Sequence, residues 1–341
     1  MFALLWLSWC SYSWLANMAR ADAGAMRLAL LVVAATMFVA CLAIPEAFHD
    51  QPGGLNGPLV VVVCYAIVRV VHIGVYLVVA GDDHALRRQV MLALTASAVP
   101  AVALMTVGVA LGEPWQRPLW LVAVLYELVT IFVTSRGGGG WVVTSAAHFA
   151  ERHALVVLLA LGESMVAIGT GASERPISLP IVVAAVLALA VAVGLWLHYF
   201  VGLSGSLEHG MEELSGAERA RAGRDLFTYL HLPIVGGIIL AALGVEQALA
   251  HLDAGYAGTQ ASWALGGGLA LSLAGMAIAE RRVTRRWNWW RVAAAVGLLV
   301  AGLVLPLASP ALALGVVALV LVGSATVAAA TRAPQPSGQH R

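Results

Sequence analysis

Residues 59–80 have the sequence LVVVVCYAIVRVVHIGVYLVVA, and this stretch decides the class of fold. A membrane-spanning helix needs about 20 consecutive and mostly apolar residues, because the hydrocarbon core is ~30 Å thick and a helix rises ~1.5 Å per residue. The stretch is long enough, and its one charged side chain is Arg69. It predicts a transmembrane helix with an arginine near its middle.

The composition of the whole chain agrees with this stretch. Of its 341 residues, 61% are hydrophobic and 11% are charged, and the mean hydropathy is +0.88. A soluble domain carries about 25% charged residues, so the composition predicts a membrane protein. The formal net charge of +1 argues against a nucleic-acid partner. Cys10, Cys41 and Cys64 all lie in apolar runs without C-x-x-C spacing, so no disulfide framework, metal site or cofactor is predicted.

Apolar runs of this kind recur along the chain, separated by short segments rich in Gly, Pro, Arg or Asp. We identify eleven runs, at residues 2–16, 27–47, 59–80, 90–111, 118–134, 153–171, 180–203, 228–249, 261–280, 291–307 and 311–331. They predict an all-α fold, a polytopic integral membrane helix bundle with about eleven transmembrane helices. We expect a single transmembrane helical domain over 1–331 and a disordered cytoplasmic tail over 332–341.

The arginines predict the orientation of these runs. All 19 basic residues are Arg, and 16 of them lie in alternate loops or in the tail. The other set of loops holds Arg117 and Arg175, and Arg69 lies inside a run. Because short cytoplasmic loops are enriched in Arg, the split places the C-terminus in the cytoplasm and residue 1 outside. An outside start suggests that one preceding helix is absent from this chain.

Several motifs resemble the bacterial low temperature requirement protein A family. They are His148-Phe149-Ala150-Glu151-Arg152-His153-Ala154-Leu155 with Ala160-Leu161-Gly162-Glu163-Ser164, Ile44-Pro45-Glu46-Ala47-Phe48, and Tyr229-Leu230-His231-Leu232-Pro233 with Gly236-Gly237. Their order and spacing agree with the family over nearly the whole chain, although the family's usual acidic, Phe-rich first helix is missing here. The resemblance implies a multi-pass protein of the bacterial inner (plasma) membrane, linked to growth in the cold. It implies no molecular mechanism.

A polar stripe follows one face of the helix predicted at 59–80. Tyr65, Arg69, His72 and Tyr76 are spaced so that all four lie within an arc of about 60° at 100° per residue. A charge near the middle of a membrane helix costs ~2.5–3.5 kcal/mol on insertion scales, so this face should meet other helices or an aqueous cavity. The stripe fits either a buried ion pair whose remaining hydrogen bonds are made by the tyrosines, or the lining of a transport pathway.

Two acidic residues lie at the same depth as Arg69. Glu127 is near the middle of run 118–134 and Glu163 is near the middle of run 153–171. Because Arg69 is the one cation expected at that depth, we predict that it contacts Glu127 or Glu163. The other carboxylate then lacks a counter-charge and is expected to exchange a proton, unless buried hydroxyls or backbone groups satisfy both acids.

Candidate residues of a proton relay can be ordered from the outer to the inner face. They are Glu46 and Glu246, then Arg69, Glu127 and Glu163, then His72, and finally His148, Glu151 and His231. A proton-linked secondary transporter or ion pathway, carrying a small solute or ion, is the first hypothesis.

Two other functions remain open. An integral-membrane enzyme acting on a lipid would use the cytoplasmic-side residues His148, Glu151, His153, His198 and His231, although no H-E-x-x-H or other metal spacing is present. A structural or regulatory protein for cold adaptation would use its buried charges to specify packing. In each case membrane lipids are the expected partners.

Overall fold

The computed structural model describes residues 1–17, 24–136, 142–173 and 176–331. Over these residues the chain forms α-helices joined by short turns, with no strand. The helices are Phe2–Leu15 (α1), Gly24–Leu42 (α2), Gly57–Ala80 (α3), His84–Leu111 (α4), Gln116–Thr134 (α5), Ala146–Ser173 (α6), Leu179–Trp196 (α7), Ser204–Glu212 (α8), Gly216–Gly223 (α9), His231–Ala250 (α10), Thr259–Ser262 (α11), Gly268–Thr284 (α12), Trp289–Val304 (α13) and Pro310–Ala330 (α14).

Nine helical segments of the described chain are long and apolar enough to cross a membrane, from Gly57–Ala80 to Pro310–Ala330. The predicted runs 2–16 and 27–47 are also helical but shorter, because α1 has 14 residues and the apolar part of α2 is Met26–Leu42. At ~1.5 Å per residue α1 is about 21 Å long, less than the ~30 Å hydrocarbon core. The all-α polytopic membrane bundle is therefore confirmed, with nine spanning helices in the described residues where the sequence predicted eleven.

Polar side chains and prolines at the first turn explain where several helices begin. Asn56, Asn288 and Ser309 each accept a hydrogen bond from the backbone N–H three residues later, at the start of α3, α13 and α14. Pro58 and Pro310 occupy first-turn positions, where a missing N–H leaves no hydrogen bond unmade. These signals lie in the short polar segments that separate the apolar runs.

The chain divides into two compact units. Unit 1 comprises Met1–Ser145 with Ser215–Arg221, and unit 2 comprises Ala146–Leu214 with Ala222–Arg341. The prediction of a single domain over 1–331 stays a prediction. The tail predicted at 332–341 lies outside the described residues.

In unit 1, α3 packs against α1, α2 and α4, and α4 packs against α5. One buried cluster forms near Trp120, whose indole N–H donates to the carbonyl of Met105 at 3.0 Å. A second cluster contains Leu15, Tyr76 and Leu94. The polar stripe of α3 lies on its buried face, because Tyr65, Arg69, His72 and Tyr76 are all buried.

In unit 2, α10 packs against α6 and α12, while α14 packs against α7 and α13. Glycines allow the closest approaches, as is usual between membrane helices. A Cβ atom at Gly237 would lie 2.5 Å from the Gly268 carbonyl oxygen and 2.6 Å from the Ser272 nitrogen. Both are backbone atoms, so the α10–α12 contact requires glycine at this position.

Substitution of Gly237 by Ala should therefore destabilise the protein. The added methyl forces α10 and α12 apart, and overpacking of this kind costs ~1–3 kcal/mol. Gly297→Ala in α13 is the matched control, since a Cβ there meets nothing within 4 Å. Thermal unfolding in detergent should show a lower midpoint for Gly237→Ala and an unchanged or higher midpoint for Gly297→Ala. Equal midpoints would contradict the close packing.

Three π-helical segments interrupt the helices of unit 2. They are Leu197–Val201 after α7, Arg224–Leu230 before α10 and Trp263–Gly267 before α12. A π-helical turn leaves carbonyl groups without their usual partner four residues later, and these carbonyls can accept bonds from side chains. Two of the three segments supply such carbonyls to the polar contacts described below.

Candidate functional site

A buried ion pair lies at the centre of unit 1. The Nη2 atom of Arg69 is 2.8 Å from Oε1 of Glu127, and the two side chains are 3% and 0% exposed. Arg69 lies on α3 and Glu127 on α5, at the equal depth that the sequence predicted. Of the two carboxylates expected to compete for Arg69, the structure gives Glu127 as its partner.

Three hydroxyl groups hydrogen-bond to this pair, while Nε of Arg69 and Oε1 of Glu127 have no hydrogen-bond partner among the described residues. Tyr65 donates a short hydrogen bond to Oε2 of Glu127. Arg69 donates from Nη1 to the Ser11 hydroxyl at 2.8 Å and from Nη2 to the Ser97 hydroxyl at 2.9 Å. Because opposite charges and several hydrogen bonds meet in a buried site, the pair joins α1, α3, α4 and α5.

His72 lies one turn further along the same face of α3. Its Nε2 atom is 3.0 Å from the backbone carbonyl of Ser11, an acceptor, so Nε2 carries the proton of the neutral ring. Its Nδ1 atom is buried and has no hydrogen-bond partner among the described residues. The rings of Tyr12 and Tyr76 lie 5.2 and 5.0 Å from the imidazole, centre to centre.

Glu163 has a different environment on α6. Its side chain is exposed, and it makes no ion pair or hydrogen bond with the described residues of unit 2. Its neighbours on that face are exposed leucines, with Leu155 at 57% and Leu159 at 74%. Glu163 is therefore a mid-helix carboxylate on an otherwise apolar surface, without a counter-charge from its own unit.

An acidic cleft of about 560 Å³ lies at the far end of α6. Glu246 of α10 and Asp253 contribute carboxylates to its lining, and Thr170 contributes a hydroxyl from α6. Thr170 and Glu163 are seven residues apart, two helical turns, so they share a face and are separated by ~10 Å along the axis. The predicted outer residue Glu246 thus lies at the end of the face that carries Glu163.

The other end of the α6 face carries His148, and Glu151 lies beside it, about 120° around the helix from Glu163. Both side chains are exposed, and Nδ1 of His148 is 3.5 Å from an oxygen of Glu151. Glu46, the remaining outer candidate, lies in unit 1 in the 3-10 turn Ile44–Glu46, where it packs against Gly57. Four candidates, Glu46, Arg69, His72 and Glu127, are thus in unit 1, and five, His148, Glu151, Glu163, His231 and Glu246, are in unit 2.

His231 is fully buried, and both of its ring nitrogens are hydrogen-bonded. Nδ1 donates to the carbonyl of Leu226 at 2.8 Å, a carbonyl of the second π-helical segment, so Nε2 accepts from the Tyr199 hydroxyl at 2.8 Å. His153 is also buried and donates from Nδ1 to the Phe149 carbonyl at 2.8 Å. The ring of Phe227 packs against both histidines.

The five residues proposed for a lipid-modifying enzyme do not share one environment. His153, His198 and His231 are buried, whereas His148 and Glu151 are exposed. In the described part of the chain, no group of three or more His, Cys, Asp or Glu residues is placed to hold a metal ion.

Unit 2 contains a buried ion pair that the sequence did not predict. Arg291 at the start of α13 contacts Glu280 near the end of α12, and its Nη2 atom donates to the His198 carbonyl at 2.8 Å. Gly202 leaves room for this guanidinium, because a Cβ there would lie 2.7 Å from Nη2. The sequence predicted Arg291, the first residue of the run 291–307, to be one of the cytoplasmic arginines. The signal for an inward position is Asn288, which caps α13 so that the helix begins at Trp289, two residues before the predicted run.

These features define a multi-pass, all-helical membrane protein with buried charges in both units. A family model, bacterial low temperature requirement A protein (LtrA), matches residues 1–326, so the chain belongs to this family. The uncharacterized protein RA0937 of Rhizobium meliloti (strain 1021) is 30% identical over 261 residues, which are 73% of this chain and 60% of that protein. The chain thus spans less than two thirds of that relative. No solved structure matches the chain.

Proposed function

We propose that this protein is a proton-linked secondary transporter or an ion pathway, and that Glu163 is the residue that gains and loses a proton. The observation that carries the proposal is the position of Glu163, mid-helix in a membrane protein and without a counter-charge among the described residues of its unit. A carboxylate in such surroundings is costly when ionised, and such residues commonly belong to ion or proton pathways.

The rest of the α6 face supports the same proposal. It leads from the acidic cleft at Thr170 and Glu246, past Glu163, to His148 at the other end, where Glu151 lies 3.5 Å from the His148 ring. An acid-lined cleft raises the local concentration of protons and other cations. The Arg69–Glu127 pair serves this function by holding four helices of unit 1 together, since its charges are already compensated.

Proton flux into liposomes tests the proposal. Purified protein is reconstituted with a pH-sensitive dye inside the vesicles, and small solutes and ions are supplied outside under an imposed pH gradient. We expect acidification or alkalinisation that depends on the protein and on one class of solute or ion. Vesicles that respond no faster than protein-free vesicles, for every solute and ion supplied, would contradict the proposal.

A structural or regulatory membrane protein is the second candidate. It is favoured by the Arg69–Glu127 pair, whose opposite charges are in contact in a buried site and are hydrogen-bonded by hydroxyl groups of Tyr65, Ser11 and Ser97. Under this alternative the protein is stable in vesicles but produces no flux, and Glu163 is covered by another protein or by lipid. The lipid-modifying enzyme has less support, because its five candidate residues are divided between buried and exposed positions.

The orientation belongs to the same proposal. The arginine distribution places positions near Arg88, Arg221 and Arg285 in the cytoplasm, and positions near Asn56 and Asp253 outside. The test introduces single cysteines at these positions in a protein whose Cys10, Cys41 and Cys64 have been replaced. When intact cells are treated with a membrane-impermeant thiol reagent, only the cysteines near Asn56 and Asp253 should react. Two or more inverted positions would overturn this orientation.

A further inference from the structure

The segment between α12 and α13 combines exposed arginines with exposed tryptophans. Arg281, Arg282, Arg285 and Arg286 are all exposed, and they are followed by Trp287, Trp289 and Trp290, which are 39%, 68% and 50% exposed. Asp225 lies 3.3 Å from Arg282, and no other described carboxylate is within ion-pair distance of the four arginines. The segment, which we call the Arg–Trp segment (residues 281–290), therefore carries an excess of positive charge at the end of two membrane helices.

An apolar groove of about 750 Å³ lies on the surface of unit 2 between α10, α12 and α13. Its walls are formed by large side chains that are exposed, including Leu240, Leu243, Trp263, Leu271, Val296 and Leu299. Its floor contains small residues, including Ala264, Gly267, Ala270, Ala274 and Ala295. A groove lined almost entirely by apolar side chains, in a segment long enough to span a membrane, fits a hydrocarbon chain.

The α12 and α13 faces that line the groove lead toward the Arg–Trp segment, and the groove residue of α12 nearest to it, Ala274, lies seven residues or ~10 Å from Arg281. On α12, Leu271, Ala274, Ile278 and Arg281 follow one another at intervals of three or four residues, and on α13 the same holds for Trp289, Val292, Val296 and Leu299. Residues at such intervals share one helix face. From Arg281 to Leu271 the axial distance is ~15 Å, the depth of one leaflet, so a chain anchored at Arg281 reaches the near part of the groove. Trp263 lines the far part of the groove, ~27 Å from Arg281.

We infer that the Arg–Trp segment and the groove together bind one anionic phospholipid. The guanidinium groups of Arg281 and Arg285 contact the phosphate, because Arg presents several donors in a planar fork that matches phosphate oxygens. One acyl chain lies in the groove along α12 and α13, and the tryptophans lie at the level of the headgroups, where their amphipathic rings are stable. A second copy of this chain is the poorer occupant, since it brings the same positive charge to the mouth of the groove.

Native mass spectrometry of the full chain in a neutral detergent tests this inference. The probes are phosphatidylglycerol and phosphatidylcholine with identical acyl chains, and the variant is Arg281→Gln with Arg285→Gln. Native protein should retain one phosphatidylglycerol in preference to phosphatidylcholine. The double variant should bind phosphatidylglycerol about 30-fold more weakly, since each Arg near an anionic lipid contributes ~1 kcal/mol. Its affinity for phosphatidylcholine, whose phosphate charge is offset by the choline group, should fall by a much smaller factor.

Two controls separate this site from general charge and from dimerisation. Arg87→Gln with Arg88→Gln removes two exposed arginines of α4 and should leave the preference for phosphatidylglycerol intact. Ala274→Phe fills the groove and should weaken both lipids equally. The inference is overturned if the Arg87/Arg88 control loses as much affinity for phosphatidylglycerol as the Arg281/Arg285 variant. It is also overturned if the Arg281/Arg285 variant binds phosphatidylglycerol as tightly as native protein does. A third contradicting result is that Ala274→Phe dissociates a dimer and releases no lipid. If the Arg281/Arg285 variant does not fold, added salt should release phosphatidylglycerol from native protein and leave phosphatidylcholine bound.

Discussion

Glu163→Gln should insert and fold normally but lose proton-coupled flux. Glutamine keeps the size and hydrogen-bonding capacity of glutamate, yet it fixes the neutral state, so the side chain can no longer accept or release a proton. The proton flux should fall at least 100-fold, because we propose a single proton-exchanging group in the middle of the α6 face. This factor is the lower end of the rate loss caused by removing a proton-transferring side chain. The measurement is the initial rate of dye response in vesicles containing equal amounts of native and variant protein.

The pH dependence of the residual flux gives a second readout. Native flux should vary with pH across the range in which Glu163 exchanges its proton, whereas the flux left in Glu163→Gln should be flat over the same range. Glu213→Gln is the matched control, because Glu213 is an exposed carboxylate near the end of α8 and outside the proposed route. It should keep the rate and the pH profile of native protein.

The outcome also distinguishes the two candidate functions. A Glu163→Gln protein with full and pH-dependent flux would exclude Glu163 as the relay, and Glu127 would be the next carboxylate to replace. If native protein shows no flux and Glu163→Gln lowers the stability instead, the structural alternative is favoured. Thermal unfolding of the variant in detergent therefore accompanies the flux assay.

Sequence spacing predicted the polar face of Arg69, and depth limited its partner to Glu127 or Glu163. The helical period put Tyr65, Arg69, His72 and Tyr76 on one face, and in the structure all four are buried on that face of α3. Counting residues from the ends of the apolar runs put Glu127 at the depth of Arg69, and the two are in contact. These predictions succeeded because the bilayer allows few charges and helical geometry fixes which charges can meet.

The depth of a residue in the membrane did not predict which small polar side chains hydrogen-bond to Arg69. Ser11 and Ser97 lie in apolar runs, where a serine usually bonds to its own helix, and Ser11 also donates to the Leu7 carbonyl at 2.8 Å. Their contacts with Arg69 depend on how α1 and α4 are rotated against α3, which one sequence does not specify. Tertiary packing decides such contacts.

The Arg291–Glu280 pair and the burial of His153, His198 and His231 were not predicted, for a related reason. Counting loop arginines assigns every Arg near a helix end to the aqueous side, although the same residue can turn inward when a helix begins earlier than expected, as α13 does. The π-helical segments add a second difficulty. Each inserts a residue into the helical turn and so shifts which side chains face the core, as in the segment Arg224–Leu230 that precedes His231.

Arg69→Leu should strongly destabilise the protein, because it leaves the Glu127 carboxylate buried without a counter-charge. Breaking a buried pair by removing one partner costs ~3–5 kcal/mol, so the midpoint of thermal unfolding in detergent should fall clearly below that of native protein. Arg88→Leu is the matched control in the same unit, since Arg88 is exposed, and it should change the midpoint little.

The double variant Arg69→Leu with Glu127→Leu tests whether the charge imbalance, and not the loss of packing, causes the effect. Replacing both members of a buried pair by apolar residues of similar volume is often neutral or stabilising, so the double variant should recover most of the stability lost in Arg69→Leu. In that variant the Tyr65 hydroxyl loses its acceptor, which accounts for the stability that is not recovered, whereas Ser11 and Ser97 still donate to the carbonyls of Leu7 and Leu94. Equal midpoints for Arg69→Leu and Arg88→Leu would show that the pair contributes nothing to stability. A double variant less stable than Arg69→Leu would instead assign the loss to packing around α3 and α5.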